Sequence, residues 1–191
     1  MLAMEIDMLS KKKYILSILI LTVIFITACQ FQPESRTTST ENKLPEWFMI
    51  PMIDVQTGET FSMNDFSGRV VLVETMAMWC SPCIIQAREI RTLLELLDEP
   101  EDLISVSLDV DPNEEVAALK EYTEENDFKW RFAIAPMDVA RELSSLYGAQ
   151  FLNPPVSAML IIDRSSNVHT LEFGKKSAEM LLETLKPYLE P

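Results

Sequence analysis

The residues able to do chemistry are concentrated in one short run, Trp79-Cys80-Ser81-Pro82-Cys83. Two thiols at this spacing can exchange with a disulfide: one attacks as thiolate and the other displaces the product. The pair could also be half of a zinc site. Completing four ligands would need a second C-x-x-C or a His pair, and the only other candidates are the distant Cys29 and the single histidine, His169. One histidine likewise removes multi-His metal centres and argues against a Ser-His-Asp triad. The pair stands where an apolar run, Val70 to Met76, passes into helical periodicity from Ser81. At a helix N-terminus, unpaired N–H groups and the positive end of the dipole favour thiolate over thiol. Cys83 lies about one turn along that helix and can reach Cys80. Pro82 in the first turn costs little and stiffens the loop. With no basic residue between the cysteines, the helix terminus alone does the lowering, so a moderately acidic Cys80 is expected.

The elements that must hold this pair alternate between strand and helix. Thr57-Gly58 reads as a turn before a short extended piece, Glu59 to Ser62. Val70 to Met76 is a buried-strand run. Ile84, Ala87, Ile90, Leu94 and Leu97 then fall at helical spacing up to Pro100. Leu103 to Leu108 is a second strand. Asp111-Pro112-Asn113-Glu114 predicts a helix start, with Asp111 as cap, Pro112 at the first position and Glu114 closing a capping box, and the helix runs to about Asn126. Trp130 to Ala135 is a third strand, and Asp138 to Tyr147 a short helix ending at Gly148. Ala158 to Ile162 is a fourth strand, Val168 to Phe173 a fifth, and Ser177 caps a final helix carrying Leu181, Leu182, Leu185 and Leu189. This order predicts an α/β fold with a mixed sheet flanked by helices. Trp47, Trp130 and the phenylalanines are most simply core, and His169 structural or exposed.

Composition narrows the function classes. With 16 Lys+Arg against 30 Asp+Glu, the 191-residue chain has a formal charge of −14. It lacks the basic footprint of a nucleic-acid binder, and an anionic membrane surface would repel it. Four glycines in the whole chain argue against a glycine-rich phosphate loop. Apolar residues, at 48%, suffice for one buried core.

The N-terminal segment has its own logic. Lys11, Lys12 and Lys13 precede an uncharged run of 13 residues, Tyr14 to Ile26, short for a membrane span but right for a signal-peptide core. Ile26-Thr27-Ala28-Cys29 resembles a bacterial lipobox, which implies a signal peptide over 1–28 and a lipid on Cys29. An uncleaved anchor helix with a bystander cysteine is the other reading. Both place the domain outside the cytoplasm. Residues 29–45, rich in Ser, Thr, Gln, Asn and Pro, read as a flexible tether, and 46–191 as the folded domain. Glu5 and Asp7 are odd in such a leader, and a start at Met8 gives a cleaner one.

From Pro45 to Leu189 the chain resembles the thioredoxin superfamily, in particular the membrane-anchored, extracytoplasmic TlpA/ResA branch. Gly58 to Val73 is similar to that branch's N-terminal hairpin leading into its central strand, and Trp79-Cys80-Ser81-Pro82-Cys83 to its W-C-x-x-C. The resemblance implies a thioredoxin-like fold with an N-terminal β-hairpin extension, Cys80 attacking and Cys83 resolving. It implies no cofactor beyond the Cys80–Cys83 redox disulfide and no metal, with Trp79, Pro82 and Pro155 touching substrate. Protein disulfides or dithiols such as apocytochrome c would be the substrates, and a membrane thiol transporter of the CcdA/DsbD type the electron donor. Reduction is the direction this analogy favours.

Three departures stand out. Glu74 occupies the position where cytoplasmic thioredoxins carry a buried Asp. There a carboxylate can take the proton of Cys83 as it attacks the mixed disulfide; a solvent-facing or Lys-paired glutamate is the alternative. The family's cis-proline has candidates in Pro154 and Pro155, with Pro155 favoured. The spacing to Asp163 is long, so either the loop bulges or Ser157 or Ala158 fills the slot, and a merely rigid loop remains open. Methionines at 76 and 78 replace the usual aromatics, giving a softer contact surface. With Met159 and the thiols they also suit Cu(I), an alternative function, as is a peroxiredoxin-like peroxidase. Residues 76–79 lack the Thr or Ser that a peroxidase needs.

Overall fold

The computed structural model describes residues 44–98 and 100–190. The expected signal peptide over 1–28, Cys29 and all but the end of the expected tether lie outside the described residues. Five strands form one sheet in the order β5-β4-β3-β6-β7: β3 Val70–Met76, β4 Leu103–Asp109, β5 Arg131–Ile134, β6 Met159–Ile162 and β7 Val168–Thr170. β3, β4 and β5 are parallel; β6 runs antiparallel to β3, and β7 antiparallel to β6. Helices α1 Ser81–Leu96, α2 Val116–Glu125, α3 Met137–Tyr147 and α4 Ala178–Leu189 flank it. A separate hairpin pairs β1 Met52–Ile53 with β2 Thr60–Phe61. This is the mixed α/β, thioredoxin-like architecture with an N-terminal hairpin that the sequence predicts.

The central strand explains itself. All seven residues of β3 are buried, because both sheet faces are covered. Val70, Leu72 and Met76 join the cluster packed against α1 and α4, with Ala87, Ile90, Leu181 and Leu185. Val71 and Val73 join the opposite cluster, with Trp47, Phe61, Val139 and Leu143. By strand alternation Glu74 falls on the first face, the side of α1 and its cysteines. The hairpin is tied to the sheet edge by Val55 N–H donating to the Phe132 carbonyl at 2.9 Å.

Two expectations are corrected. Asp111 and Glu114 do not open a helix: α2 begins at Val116 behind Glu115, because both carboxylates are engaged by partners near the cysteines. β7 ends at Thr170 instead of Phe173; Leu171 N–H still reaches the Met159 carbonyl, after which the chain turns toward α4. Ser177 does cap the last helix, its side chain accepting from Met180 N–H.

Candidate active site

Cys80 is the N-cap of α1, directly after β3. Its Sγ accepts the Cys83 N–H at 3.2 Å, so a helix-terminal donor points at the sulfur. The two cysteines are joined in a disulfide, Cα atoms 5.2 Å apart, and both are buried. Pro82 lies in the first turn and leaves the helix ladder intact. Trp79, by contrast, is 60% exposed beside the pair. The indole N–H donates to Asp111 Oδ2 at 2.7 Å, and this bond, after that from Asn113 N–H, holds the Asp111 carboxyl below the usual carboxylate range.

The proline loop differs from the expectation of a cis bond at Pro155. No cis peptide occurs among the described residues. Instead Pro154–Val156 forms a 3-10 turn and Ser157 takes a left-handed conformation, φ 50°. The loop bulges, which absorbs the extra length before β6. Pro154 is the buried proline and Pro155 the exposed one. The Pro154 carbonyl stands 3.3 Å from Cys83 Sγ. In the disulfide that sulfur has no proton to donate; once reduced, the Cys83 thiol faces a ready acceptor.

Beneath the pair, Glu74 is 2% exposed. Its Oε1 accepts the Ser107 hydroxyl at 2.5 Å. Burial pushes its carboxyl up to about 7, against the lowering effect of that bond. The solvent-facing and Lys-paired alternatives are therefore gone. Ser107 sits beside Glu74 in the parallel ladder, and Ser107 Oγ accepts the Trp130 indole N–H at 2.8 Å. Neither partner was legible from local pattern, though two serines, Ser105 and Ser107, among the apolar residues of strand 103–108 were a signal. The Tyr122 hydroxyl is buried with no hydrogen-bond partner; burial, and next the Glu74 charge, raise it to about 12.

A second carboxyl group sits beside the motif. Glu114 accepts the Met78 N–H at 3.0 and 2.9 Å, one for each oxygen. Asp109 Oδ1 accepts the Asp111 N–H at 2.9 Å, while Asp109 Oδ2 is buried and meets no donor. Its neighbour is the Glu114 carboxyl. Two acceptor-only groups can adjoin there only with a proton between them, so burial and then Glu114 push the Asp109 carboxyl upward. Met76 and Met159 are buried in the core and Met78 is half-buried. His169 pairs with Asp163 at 2.8 Å, in β7 and the turn before it. Among the described residues, no three His, Cys, Asp or Glu side chains gather as a metal site.

This arrangement is similar to known proteins. The model of the Redoxin family matches residues 40–185. A thiol-disulfide oxidoreductase ResA of Bacillus thuringiensis subsp. konkukian is 26% identical over 129 residues, 68% of this chain and 69% of that protein. Among solved structures, a thiol:disulfide interchange protein of the thioredoxin family from Chlorobium tepidum superposes with a TM-score of 0.63 at 20% identity, over 74% of this chain and 93% of that one. The pneumococcal exposed lipoprotein thioredoxin of Streptococcus pneumoniae superposes with a TM-score of 0.56 at 21% identity, over 72% and 98%.

Proposed function

The chain belongs to the Redoxin family, and from that premise we propose that it is an extracytoplasmic thiol-disulfide oxidoreductase that reduces disulfides in exported proteins. One observation carries this reading: Cys80 and Cys83 form a disulfide at the N-terminus of α1, with a backbone N–H aimed at the Cys80 sulfur. Reduced Cys80 attacks a substrate disulfide and forms a mixed disulfide. Cys83 then attacks Cys80, releasing the product thiol and leaving the Cys80–Cys83 disulfide. Glu74, on the same face of the sheet, takes the Cys83 proton during that second attack. Trp79 and Pro155, both exposed beside the pair, offer contact surface to the substrate, and Pro82 holds the motif loop between the two cysteines.

The lipobox-like Cys29 supports attachment through a lipid, and a membrane thiol transporter of the CcdA/DsbD type would return electrons. Apocytochrome c is one substrate of the right chemistry. Similarity to a ResA thiol-disulfide oxidoreductase and to an exposed lipoprotein thioredoxin supports this location and activity.

The test is the reduction potential of the Cys80–Cys83 couple in the purified full-length chain. A value near about −270 mV supports a reductant. One near about −120 mV makes it an oxidant of exported thiols. Failure to form the disulfide in any redox buffer removes the reading altogether.

A further inference from the structure

Trp130, the residue before β5, Ser107 of β4 and Glu74 of β3 form one connected line of hydrogen bonds. Its direction is fixed by what each group can do. An indole N–H only donates, so the Ser107 oxygen must be its acceptor. Ser107 has one hydrogen, and the Trp130 hydrogen occupies the near side of its oxygen. The hydroxyl hydrogen therefore goes to Glu74 Oε1. That oxygen is an acceptor whether the carboxyl is charged or neutral, so any proton Glu74 takes must sit on Oε2.

We infer that Ser107 and Trp130 are positioning residues of the exchange reaction, forming a one-way relay that reserves Oε2 of Glu74 for the proton of Cys83. This rests on the reading of Glu74 given above. The Cys83 S–H bond breaks and its proton moves to Oε2. The Cys83 sulfur bonds to Cys80 Sγ, and the bond from Cys80 to the substrate sulfur breaks with its electron pair going to the substrate. The leaving thiolate takes a proton from solvent, and Glu74 returns its own to solvent. The substrate disulfide is reduced and the cysteine pair oxidised.

The relay also opposes what burial does to Glu74. Burial favours the neutral carboxyl, and a donated hydroxyl favours the anion that can accept a proton. The charged and titratable groups nearby are those that, with Glu74 itself, act on the Tyr122 hydroxyl. α1 carries the cysteines and Arg88, and α2 carries Tyr122. Asp109 and Glu114 lie at and beyond the end of β4, and β6 places only Met159 beside Glu74. Oxidised protein removes the cysteine titrations, leaving the carboxyl to be followed alone.

The experiment is a carbon-13 NMR titration of the Glu74 side-chain carboxyl in oxidised full-length protein, with the signal identified by its loss in Glu74→Gln. The wild-type midpoint is expected near about 7. Ser107→Ala should raise it by about one pH unit, since a hydrogen bond to the charged form is lost. Ser107→Thr keeps the hydroxyl and should restore it. Trp130→Phe keeps an aromatic ring against Phe128 and Phe132 but frees Ser107 to turn and accept from protonated Glu74. That midpoint should also rise. A midpoint unmoved by Ser107→Ala or by Trp130→Phe, in protein with native near-UV circular dichroism, overturns the relay. The single-turnover rate of mixed-disulfide resolution is then followed against pH. A limb that tracks the NMR midpoint through the series supports the role in the reaction. A limb that survives Glu74→Gln overturns the reading of Glu74 itself, while the NMR result still decides the relay.

Discussion

Glu114 stands 36 residues after Met78, yet both of its oxygens close on the Met78 N–H, at 3.0 and 2.9 Å. The residue before the tryptophan of the redox motif is thus held by the loop after the neighbouring strand. Asp111 in the same loop holds Trp79 itself.

Glu114→Ala leaves a half-buried amide without its carboxylate and Asp109 without the group that shares its proton. A loss of about 1–3 kcal/mol is expected in urea unfolding of the oxidised protein. Glu114→Gln, which keeps an acceptor, should recover most of it. Equal stability of wild type and Glu114→Ala would show that the clamp contributes nothing.

Glu74 has a predictable pH signature. Its carboxyl is raised from 4.5 to about 7, so the folded protein binds more protons than the unfolded chain between these values. Stability contributed through this group is therefore intact below pH 4.5, falls as pH rises towards 7, and stays reduced above it. Glu74→Gln should gain about 3 kcal/mol over wild type at pH 8 and nearly nothing at pH 4. Denaturant midpoints at the two pH values measure this; a gain that is the same at both would contradict a buried ionising Glu74.

The two cysteines should separate cleanly. Cys80→Ser abolishes exchange with a protein disulfide. Cys83→Ser still attacks but cannot resolve, so it accumulates a covalent mixed disulfide with substrate, visible by mass spectrometry under non-reducing conditions. Accumulation on Cys80→Ser instead would reverse the assigned roles.

Trp79 is exposed and its only described hydrogen bond reaches a surface carboxylate, so its removal should leave folding nearly unchanged. Trp79→Ala is expected to raise KM for a protein disulfide about fivefold to tenfold, the loss of one aromatic contact of about 1 kcal/mol. The rate with a small aromatic disulfide should stay close to wild type. Equal loss with both substrates would assign Trp79 to the chemistry and not to contact.

How much of this was legible depended on whether the signal was local. Cys80, Cys83 and the strand-to-helix context lie within a dozen residues, and their arrangement follows from helix-terminus physics. Glu74 was visible as an oddity, but its face was not, because a strand covered on both sides has no alternation to read. Asp111 and Glu114 carried a good local helix-start pattern and were misread for that reason. Their real partners, Trp79 and Met78, are brought near only by pairing of β3 with β4. Ser107 and Trp130 were hidden the same way, as a small residue in a strand and a large one in a core. The bulge at residues 154–157 was one of two outcomes that the spacing allowed.

The bond from Val55 to the Phe132 carbonyl has a meaning beyond joining a hairpin to a sheet. β5 is the outermost strand on that side, and on the function proposed above the clients are exported proteins whose chains are still extended. A bare rim would invite such a client to zip on as a sixth strand, and from there copies could chain together. Because that carbonyl is already taken by the protein's own chain, a client held through a sulfur can leave when the sulfur lets go.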